Sequence, residues 1–195
     1  MNNAFKQPNN QIATTANDNE ILKNLIVDKI ANTPNQRITF AEYMDLVLYH
    51  PEQGYYATGA VNIGSEGDFF TSPHLASDFG ELLAEQFAEM WEILGRPTLF
   101  TLVEMGAGQG LLAADVLGYL QRRHPDCFEA LEYLIIEKAA GLIAQQKRLL
   151  EPLSFPVRWT SLAEVTENSI KIGCFFSNEL VDALPVHLVV KDGQL

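Results

Sequence analysis

The chain has 195 residues, of which 47% are hydrophobic and 19% are charged. This apolar content excludes an intrinsically disordered chain, and the length fits one domain or one domain with an arm. Lysine and arginine number 13 against 25 aspartates and glutamates, which gives a net charge of −12. That charge argues against a nucleic-acid binder, because phosphate contacts need a basic surface, and it favours a cationic ligand or a basic partner.

The two cysteines, Cys127 and Cys174, form neither a CxxC motif nor a Cys/His cluster, so the sequence predicts no disulfide framework and no metal site. No apolar run approaches the ~20 residues that cross a bilayer, and we expect no membrane insertion. Residues 1–18 are rich in polar residues and lack the features of a secretory signal, so we predict a disordered polar leader. We expect a cytoplasmic protein, or a mitochondrial one in a eukaryote.

Two helices are predicted after the leader. Apolar residues at helical spacing follow Asn19, and Pro34 ends that pattern. Thr39 and Glu42 fit the T-x-x-E capping box of a second helix, which ends near His50. The apolar face of this second helix, which we expect to be buried, consists of Phe40, Met44, Val47 and Leu48.

A glycine-containing loop over residues 57–71 is predicted next, followed by a third helix. Ser72-Pro73 is a typical helix start, and Gly95 is a typical residue just past a helix end. An aromatic and aliphatic stripe at helical spacing, which we expect to pack in the core, consists of Phe79, Leu83, Phe87, Met90, Trp91 and Leu94. Residues 19–96 are therefore predicted to form a helical N-terminal subdomain.

Beyond Pro97 the pattern alternates between strands and helices. Strands are predicted at residues 98–104, 133–137, 156–160 and 172–177, and helices at 111–123 and 139–150. This alternation is typical of βαβ crossovers and a parallel sheet, so residues 97–195 are predicted to form an α/β domain.

The last residues predict half of a hairpin. Residues 186–190 alternate as a strand does, and Asp192-Gly193 is a turn signal two residues before the last residue. We expect from this that the α/β domain is truncated at its C-terminus, with an unpaired sheet edge that makes the chain aggregation-prone or dimeric.

A glycine loop follows the first predicted strand. Glu104 precedes Gly106, Gly108 and Gly110, and glycines there let the backbone turn sharply and let a ligand press against bare main chain. A dinucleotide site needs G-x-G-x-x-G, which would put a glycine where Leu111 stands, so the spacing is wrong for NAD. The loop resembles motif I of the Rossmann-like S-adenosylmethionine methyltransferases, E/D-x-G-x-G-x-G.

A second acid ends the next strand. Glu137 at that point can accept hydrogen bonds from both ribose hydroxyls of an adenosine. The alternative is a solvated surface glutamate, which is the usual environment of that residue type.

Three polar residues follow the fourth strand. Asn178, Glu179 and Asp182 are predicted to face the same crevice as the glycine loop, because ligands gather at the carboxyl ends of parallel strands. The alternative is that Asn178 caps a turn. Carboxylates of this kind would offset the charge of a guanidinium acceptor and orient it through bidentate hydrogen bonds.

Two longer strings carry a family resemblance. Y-x-P-x-x-G-Y-Y occurs over residues 49–56 and G-D-F-x-T-S-P over residues 67–73. With the glycine loop, Glu137 and residues 177–185, they make the chain similar to the MidA-like methyltransferases over roughly residues 37–195. The mitochondrial member of that family is an assembly factor for respiratory complex I.

This resemblance implies a Rossmann-like class I methyltransferase sheet, incomplete in this chain, preceded by the helical N-terminal arm. It implies S-adenosyl-L-methionine as cofactor and arginine methylation of a protein substrate, a core subunit of respiratory complex I in the mitochondrial case. Carried onto this chain, the implied cofactor contacts are Glu104, Gly106, Gly108, Gly110 and Glu137, with Asp68, Thr71 and Ser72 on a covering loop. The implied catalytic residues at the acceptor site are Asn178, Glu179 and Asp182. Two alternatives stay open: a non-catalytic assembly factor with the same fold, and an NAD(P)-dependent oxidoreductase.

Overall fold

The structure is a computed structural model that describes residues 15–58, 76–167 and 170–191. The predicted covering loop with Asp68, Thr71 and Ser72 lies outside these residues, as does the predicted hairpin turn at Asp192-Gly193. The helices are α1 Thr15–Ala31, α2 Phe40–Tyr49, α3 Asp78–Ile93, α4 Leu111–Arg123, α5 Pro125–Glu129, α6 Ala140–Leu150 and α7 Leu162–Glu167. The strands are β1 Phe100–Met105, β2 Leu131–Ile136, β3 Val157–Thr160 and β4 Gly173–Phe176.

The four strands form one parallel sheet in the order β3-β2-β1-β4. In this sheet Met105 pairs with Ile136, and Glu104 pairs with Phe176. The carboxyl ends of β1, β2 and β4 therefore lie side by side, and each of them leads into one of the predicted site segments. This confirms the predicted α/β fold with a Rossmann-like parallel sheet and a preceding helical arm.

The core lies between β1, β2 and the helices α3 and α4. Phe87 and Trp91 of the predicted stripe are buried, whereas Met90 and Leu94 on the outer side of α3 are 40% and 50% exposed. The Trp91 indole N–H donates to the Pro97 carbonyl at 2.9 Å, so this buried donor is satisfied. Helix α3 begins at Asp78 among the described residues, and the predicted helix start at Ser72-Pro73 lies outside them.

Helix α2 begins with the predicted capping box. The Thr39 hydroxyl accepts from the Glu42 N–H at 3.2 Å, and the Glu42 carboxylate accepts from the Thr39 N–H at 2.8 Å. The prediction of a buried apolar face was wrong, because α2 contains no buried residue. Met44 and Leu48 instead line a cleft, since α2 lies over the end of the sheet and not against the main core.

The predicted strand at residues 186–190 is not found. These residues have no regular secondary structure, and Leu188, Val189 and Val190 are 60% to 80% exposed. Alternating apolar residues favour a strand, but a strand also needs a hydrogen-bonded neighbour, and no described strand pairs with this segment. Among the described residues, no helix has the length and apolar character required to cross a bilayer.

Candidate active site

A cleft of about 450 Å³ lies at the carboxyl ends of β1, β2 and β4. Its volume is in the range of ligand pockets, roughly 300 to 1,000 Å³. Four segments form most of its lining: the glycine loop after β1, Glu137 after β2, residues 178–183 after β4, and α2 with the turn that follows it. The first turn of α4 and Leu142 of α6 complete it. The structure therefore brings together all the predicted site residues that it describes except Gly110, which lies at the start of α4.

The glycine loop needs its glycines for backbone conformation. Gly106, Gly108 and Gly110 have φ of +70°, +55° and +87°, in the left-handed region that side chains rarely adopt. A Cβ added to Gly106 would lie 2.7 Å from the Leu180 side chain, so the loop and the segment after β4 approach closely here. The Gly106 N–H donates to the Ile136 carbonyl at 2.9 Å, which ties the loop to the end of β2.

Glu104 is a buried carboxyl at the floor of the cleft. Glu104 is 2% exposed, and the Tyr133 hydroxyl donates a hydrogen bond to its Oε2 at 2.7 Å. Burial, together with a smaller contribution from the nearby Glu137, raises the pKa of Glu104 to about 7 despite the opposing hydrogen bond from Tyr133. A carboxyl in this position can take up or release a proton near neutral pH.

Glu137 is held from three sides. Its Oε1 accepts from the backbone N–H groups of Lys138 and Ala139 at 2.9 and 3.0 Å, and its Oε2 is 3.4 Å from the Gln146 amide nitrogen. Burial raises its pKa, while these hydrogen bonds lower it. The carboxylate lines the cleft in a fixed orientation, unlike the freely solvated glutamate of the alternative interpretation.

Gln146 is a part of this arrangement that the sequence analysis missed. It lies on α6, is 0% exposed, and its Nε2 donates to the Gly108 carbonyl at 2.8 Å. A signal was present in the sequence, because Leu142, Gln146 and Leu150 have i, i+4, i+8 spacing and all three are buried. A polar residue in such an apolar stripe indicates a specific buried partner.

Asn178, Glu179 and Asp182 line the opposite side of the cleft. Glu179 has φ of +50°, an uncommon conformation for a non-glycine residue that occurs often at functional sites. Asn178 does not cap a helix, since the short 3₁₀ turn Val181–Ala183 starts after Leu180. Within the part of the chain that the structure describes, these three side chains have no hydrogen-bond partner, so their polar atoms are available to a ligand.

Two tyrosines form the wall above these acids. The rings of Tyr49 and Tyr56 lie 5.4 Å apart, and the Tyr49 hydroxyl donates to the Ala183 carbonyl at 2.8 Å. Burial, Tyr56 and nearby carboxylates including Asp182 together raise the pKa of Tyr49 to about 12, with burial the largest cause. Lys138 Nζ lies 4.6 Å from the centre of the Tyr49 ring, so this ring already contacts a cation. Both tyrosines belong to the Y-x-P-x-x-G-Y-Y string of residues 49–56, which by itself indicated no role for them.

The residues present fit S-adenosyl-L-methionine. The left-handed Gly106 and Gly108 leave room against bare main chain, and Glu137 provides a carboxylate suited to ribose hydroxyls. Apolar surface for an adenine ring is provided by Leu112 and Leu142. The family comparisons agree with this chemistry.

Residues 82–195 match a protein family described as "Putative S-adenosyl-L-methionine-dependent methyltransferase". A Xenopus laevis relative named protein arginine methyltransferase NDUFAF7, mitochondrial, is 34% identical in an alignment of 205 residues that covers 94% of this chain and 45% of the relative. A Drosophila melanogaster relative named as a homologue of the same protein is 34% identical in an alignment of 176 residues that covers 80% of this chain and 40% of the relative.

Solved structures agree with the sequence relatives. A Burkholderia thailandensis protein crystallised with S-adenosyl-homocysteine is 31% identical, with a TM-score of 0.64 over 80% of this chain and 40% of that chain. The chain thus spans less than half the length of these relatives. The match over residues 82–195 comprises more than half of the chain, and the chain therefore belongs to this family of S-adenosyl-L-methionine-dependent methyltransferases.

Proposed function

We propose that the chain provides the cofactor-binding and acceptor-binding cleft of a protein-arginine N-methyltransferase. One observation carries this proposal: Glu179 and Asp182 lie in the same cleft as the glycine loop, together with Tyr49 and Tyr56. A cleft with carboxylates and aromatic faces is suited to a cation, and a guanidinium is the cationic side chain that both groups bind well.

The cofactor side of this cleft consists of backbone and one acid. Glu104, Gly106, Gly108, Gly110 and Glu137 are the residues that we assign to it, with Asp68, Thr71 and Ser72 on the covering loop that the structure does not describe. Glu137 accepts hydrogen bonds from the ribose hydroxyls, and the main chain of the glycine loop contacts the rest of the nucleoside. When bound, S-adenosyl-L-methionine supplies a methyl group on a positively charged sulfur.

The acceptor side orients the guanidinium. Asn178, Glu179 and Asp182 hold its N–H groups, and their negative charge offsets the repulsion between two cationic reactants. The acceptor nitrogen bonds to the methyl carbon as the carbon–sulfur bond breaks, and the nitrogen releases one proton. Glu179 and Asp182 are the carboxylates placed to accept that proton. Holding the two reactants in line is the main catalytic contribution of such a cleft.

The partner that we propose is a protein substrate, a core subunit of respiratory complex I. The names of the relatives support arginine methylation, and they describe those proteins as mitochondrial. In a bacterium the same role belongs in the cytoplasm. The NAD(P)-dependent alternative has lost its support, because the family that the chain matches is one of methyltransferases.

The test separates the two sides of the cleft. Asp182→Asn and Glu179→Gln are compared with Glu129→Gln, an exposed acid at the opposite end of the sheet. S-adenosylhomocysteine binding is measured by calorimetry, and methylarginine in candidate respiratory subunits by mass spectrometry. We expect unchanged cofactor affinity and at least about a tenfold loss of arginine methylation in the cleft variants, the cost of one charged hydrogen bond.

Two outcomes would contradict the proposal. Full arginine methylation by the Asp182→Asn, Glu179→Gln double variant would remove the acceptor assignment. Saturable binding of a subunit without any methylarginine would instead support the non-catalytic assembly factor.

A further inference from the structure

Gln146 is the residue whose surroundings are least explained by packing. Among the described residues, only Thr101, Glu104 and Gln146 are buried and polar, and Gln146 is the most buried of them. Its neighbours along the same face of α6 are Leu142 and Leu150, so an apolar side chain would suit the position equally well. Burying an amide costs free energy unless its hydrogen bonds are made, so its partners are informative.

The partners of Gln146 belong to three separate segments. Its Nε2 donates to the Gly108 carbonyl at 2.8 Å and lies 3.4 Å from Glu137 Oε2. Its Oε1 accepts from the Trp159 indole N–H of β3 at 2.9 Å. An indole nitrogen can only donate, so this bond turns the amide oxygen towards β3 and both amide hydrogens towards the cleft.

Close packing brings α6 against the glycine loop. A Cβ added to Gly110 would lie 3.3 Å from Gln146 Cγ, so the bare backbone at Gly110 lets the side chain approach. One amide group thus contacts the loop that faces the nucleoside and the acid that we assign to its ribose. The distance between these two cofactor contacts depends on a side chain that itself does not line the cleft.

We propose that Gln146 is a positioning residue for the cofactor, which fixes the Gly108 backbone and the Glu137 carboxylate relative to each other. The proposal rests on the cofactor site described above. Removing the amide hydrogens releases Glu137 Oε2 and the Gly108 carbonyl while the rest of the core stays filled. We therefore expect the loss of this amide to weaken cofactor binding as well as to lower the stability of the protein.

The experiment compares Gln146→Met with Gln145→Met. Gln145 is the preceding residue on α6 and is only partly buried, so it provides the same substitution next to the site. Binding of S-adenosylhomocysteine is measured by calorimetry and unfolding by thermal denaturation. We expect Gln146→Met to weaken binding by at least about tenfold and Gln145→Met by less than about twofold, since one buried hydrogen bond is worth about that much.

A double-mutant cycle with Glu137→Ala distinguishes positioning from a purely structural role. If Gln146 acts through Glu137, the double variant loses less affinity than the product of the two single losses. A double variant whose loss of affinity equals the product of the two single losses would overturn the proposal. So would a Gln146→Met variant with a lowered melting temperature and unchanged affinity. If Gln146→Met does not fold, Trp159→Phe is used instead, because it removes the donor that orients the amide and keeps an aromatic ring in the same place. We then expect about a threefold loss of affinity.

The outcomes also separate this proposal from the cofactor site on which it rests. A loss of affinity in Glu137→Ala with none in Gln146→Met would overturn the positioning role and leave the site intact. Unchanged affinity in both variants, or no binding of S-adenosylhomocysteine to the unsubstituted protein, would overturn both.

Discussion

The cofactor side and the acceptor side of the cleft are held in place by different means. On the cofactor side, Glu137 accepts two backbone hydrogen bonds, and the buried Gln146 links it to the glycine loop. On the acceptor side, Glu179 and Asp182 are exposed, and one described hydrogen bond, from Tyr49 to Ala183, joins their segment to α2.

This difference suggests how the two ligands are accommodated. A preorganised backbone loop binds a constant ligand without losing conformational entropy, which suits a cofactor. Exposed side chains on a short segment can adjust to a protein acceptor, at the cost of ordering them on binding. Four substitutions test whether the two sides of the cleft differ in this way.

Gly106→Val should abolish cofactor binding, with a loss of at least about 100-fold, or about 2.7 kcal/mol. The side chain would enter the space next to Leu180 at a residue with φ of +70°. Gly95→Val is the control, since Gly95 also has a positive φ of +83° but no atom within 4 Å of an added Cβ. We expect the control to lose about 1–2 kcal/mol of stability and no affinity. The affinity of both variants for S-adenosylhomocysteine is measured by calorimetry. Wild-type affinity in Gly106→Val would refute the assignment of the glycine loop to the cofactor.

Glu137→Ala should weaken cofactor binding by about 1–3 kcal/mol, the cost of losing hydrogen bonds to a charged group. The carboxylate has a fixed orientation, so its removal is expected to change the dissociation constant of S-adenosylhomocysteine and not only turnover. Glu129→Ala, at the other end of the sheet, should leave that constant unchanged. An effect on turnover alone would contradict the ribose role.

Glu104→Gln should make the cofactor-free protein more stable at pH 8 by about 1–2 kcal/mol. The folded pKa of Glu104 is about 7 and its ordinary value is 4.5. Because the folded pKa of this carboxyl is raised, the protein loses stability as the pH rises from about 4.5 to about 7. The shift corresponds to a loss of about 3 kcal/mol at most. Glutamine keeps the Tyr133 bond and carries no charge, so its advantage should vanish near pH 4.5. Urea denaturation across this pH range tests it, and a pH-independent difference would disprove the buried-charge explanation.

Thr39→Ala should lower the free energy of unfolding by about 1 kcal/mol, the usual cost of losing an N-cap. Because α2 forms the acceptor wall, we expect weaker binding of an arginine peptide and unchanged binding of S-adenosylhomocysteine. Ser161→Ala is the matched control, since Ser161 and Glu164 make the same reciprocal bonds at the start of α7, away from the cleft. Equal effects of both variants on the peptide would show that α2 does not shape the acceptor side.

Most of the sheet and the cofactor side could be predicted because their signals are local. The helix over Leu111–Arg123 was predicted with the bounds that the structure shows, and the four strands were found within two residues at each end. Gly106, Gly108 and Gly110 were identified from a backbone requirement that depends only on neighbouring residues. Glu137 was identified in the same local way, because it lies at the end of a predicted strand.

The errors concern features that depend on distant segments. The strand predicted at residues 186–190 lacks a described partner, and the face of α2 predicted to be buried instead lines the cleft. Tyr49 and Ala183 are separated by 134 positions, and no local pattern predicts that they share a hydrogen bond.

Sequence alone was enough to predict the alternation of strands and helices, the glycine loop after β1 and the acid after β2, because each depends on short-range conformational preferences. Tertiary structure decided which polar groups meet: Gln146 with Gly108 and Trp159, and Tyr49 with the segment after β4. The physical reason is that burial and hydrogen bonding of a side chain are set by whichever segments pack against it, wherever they lie in the chain.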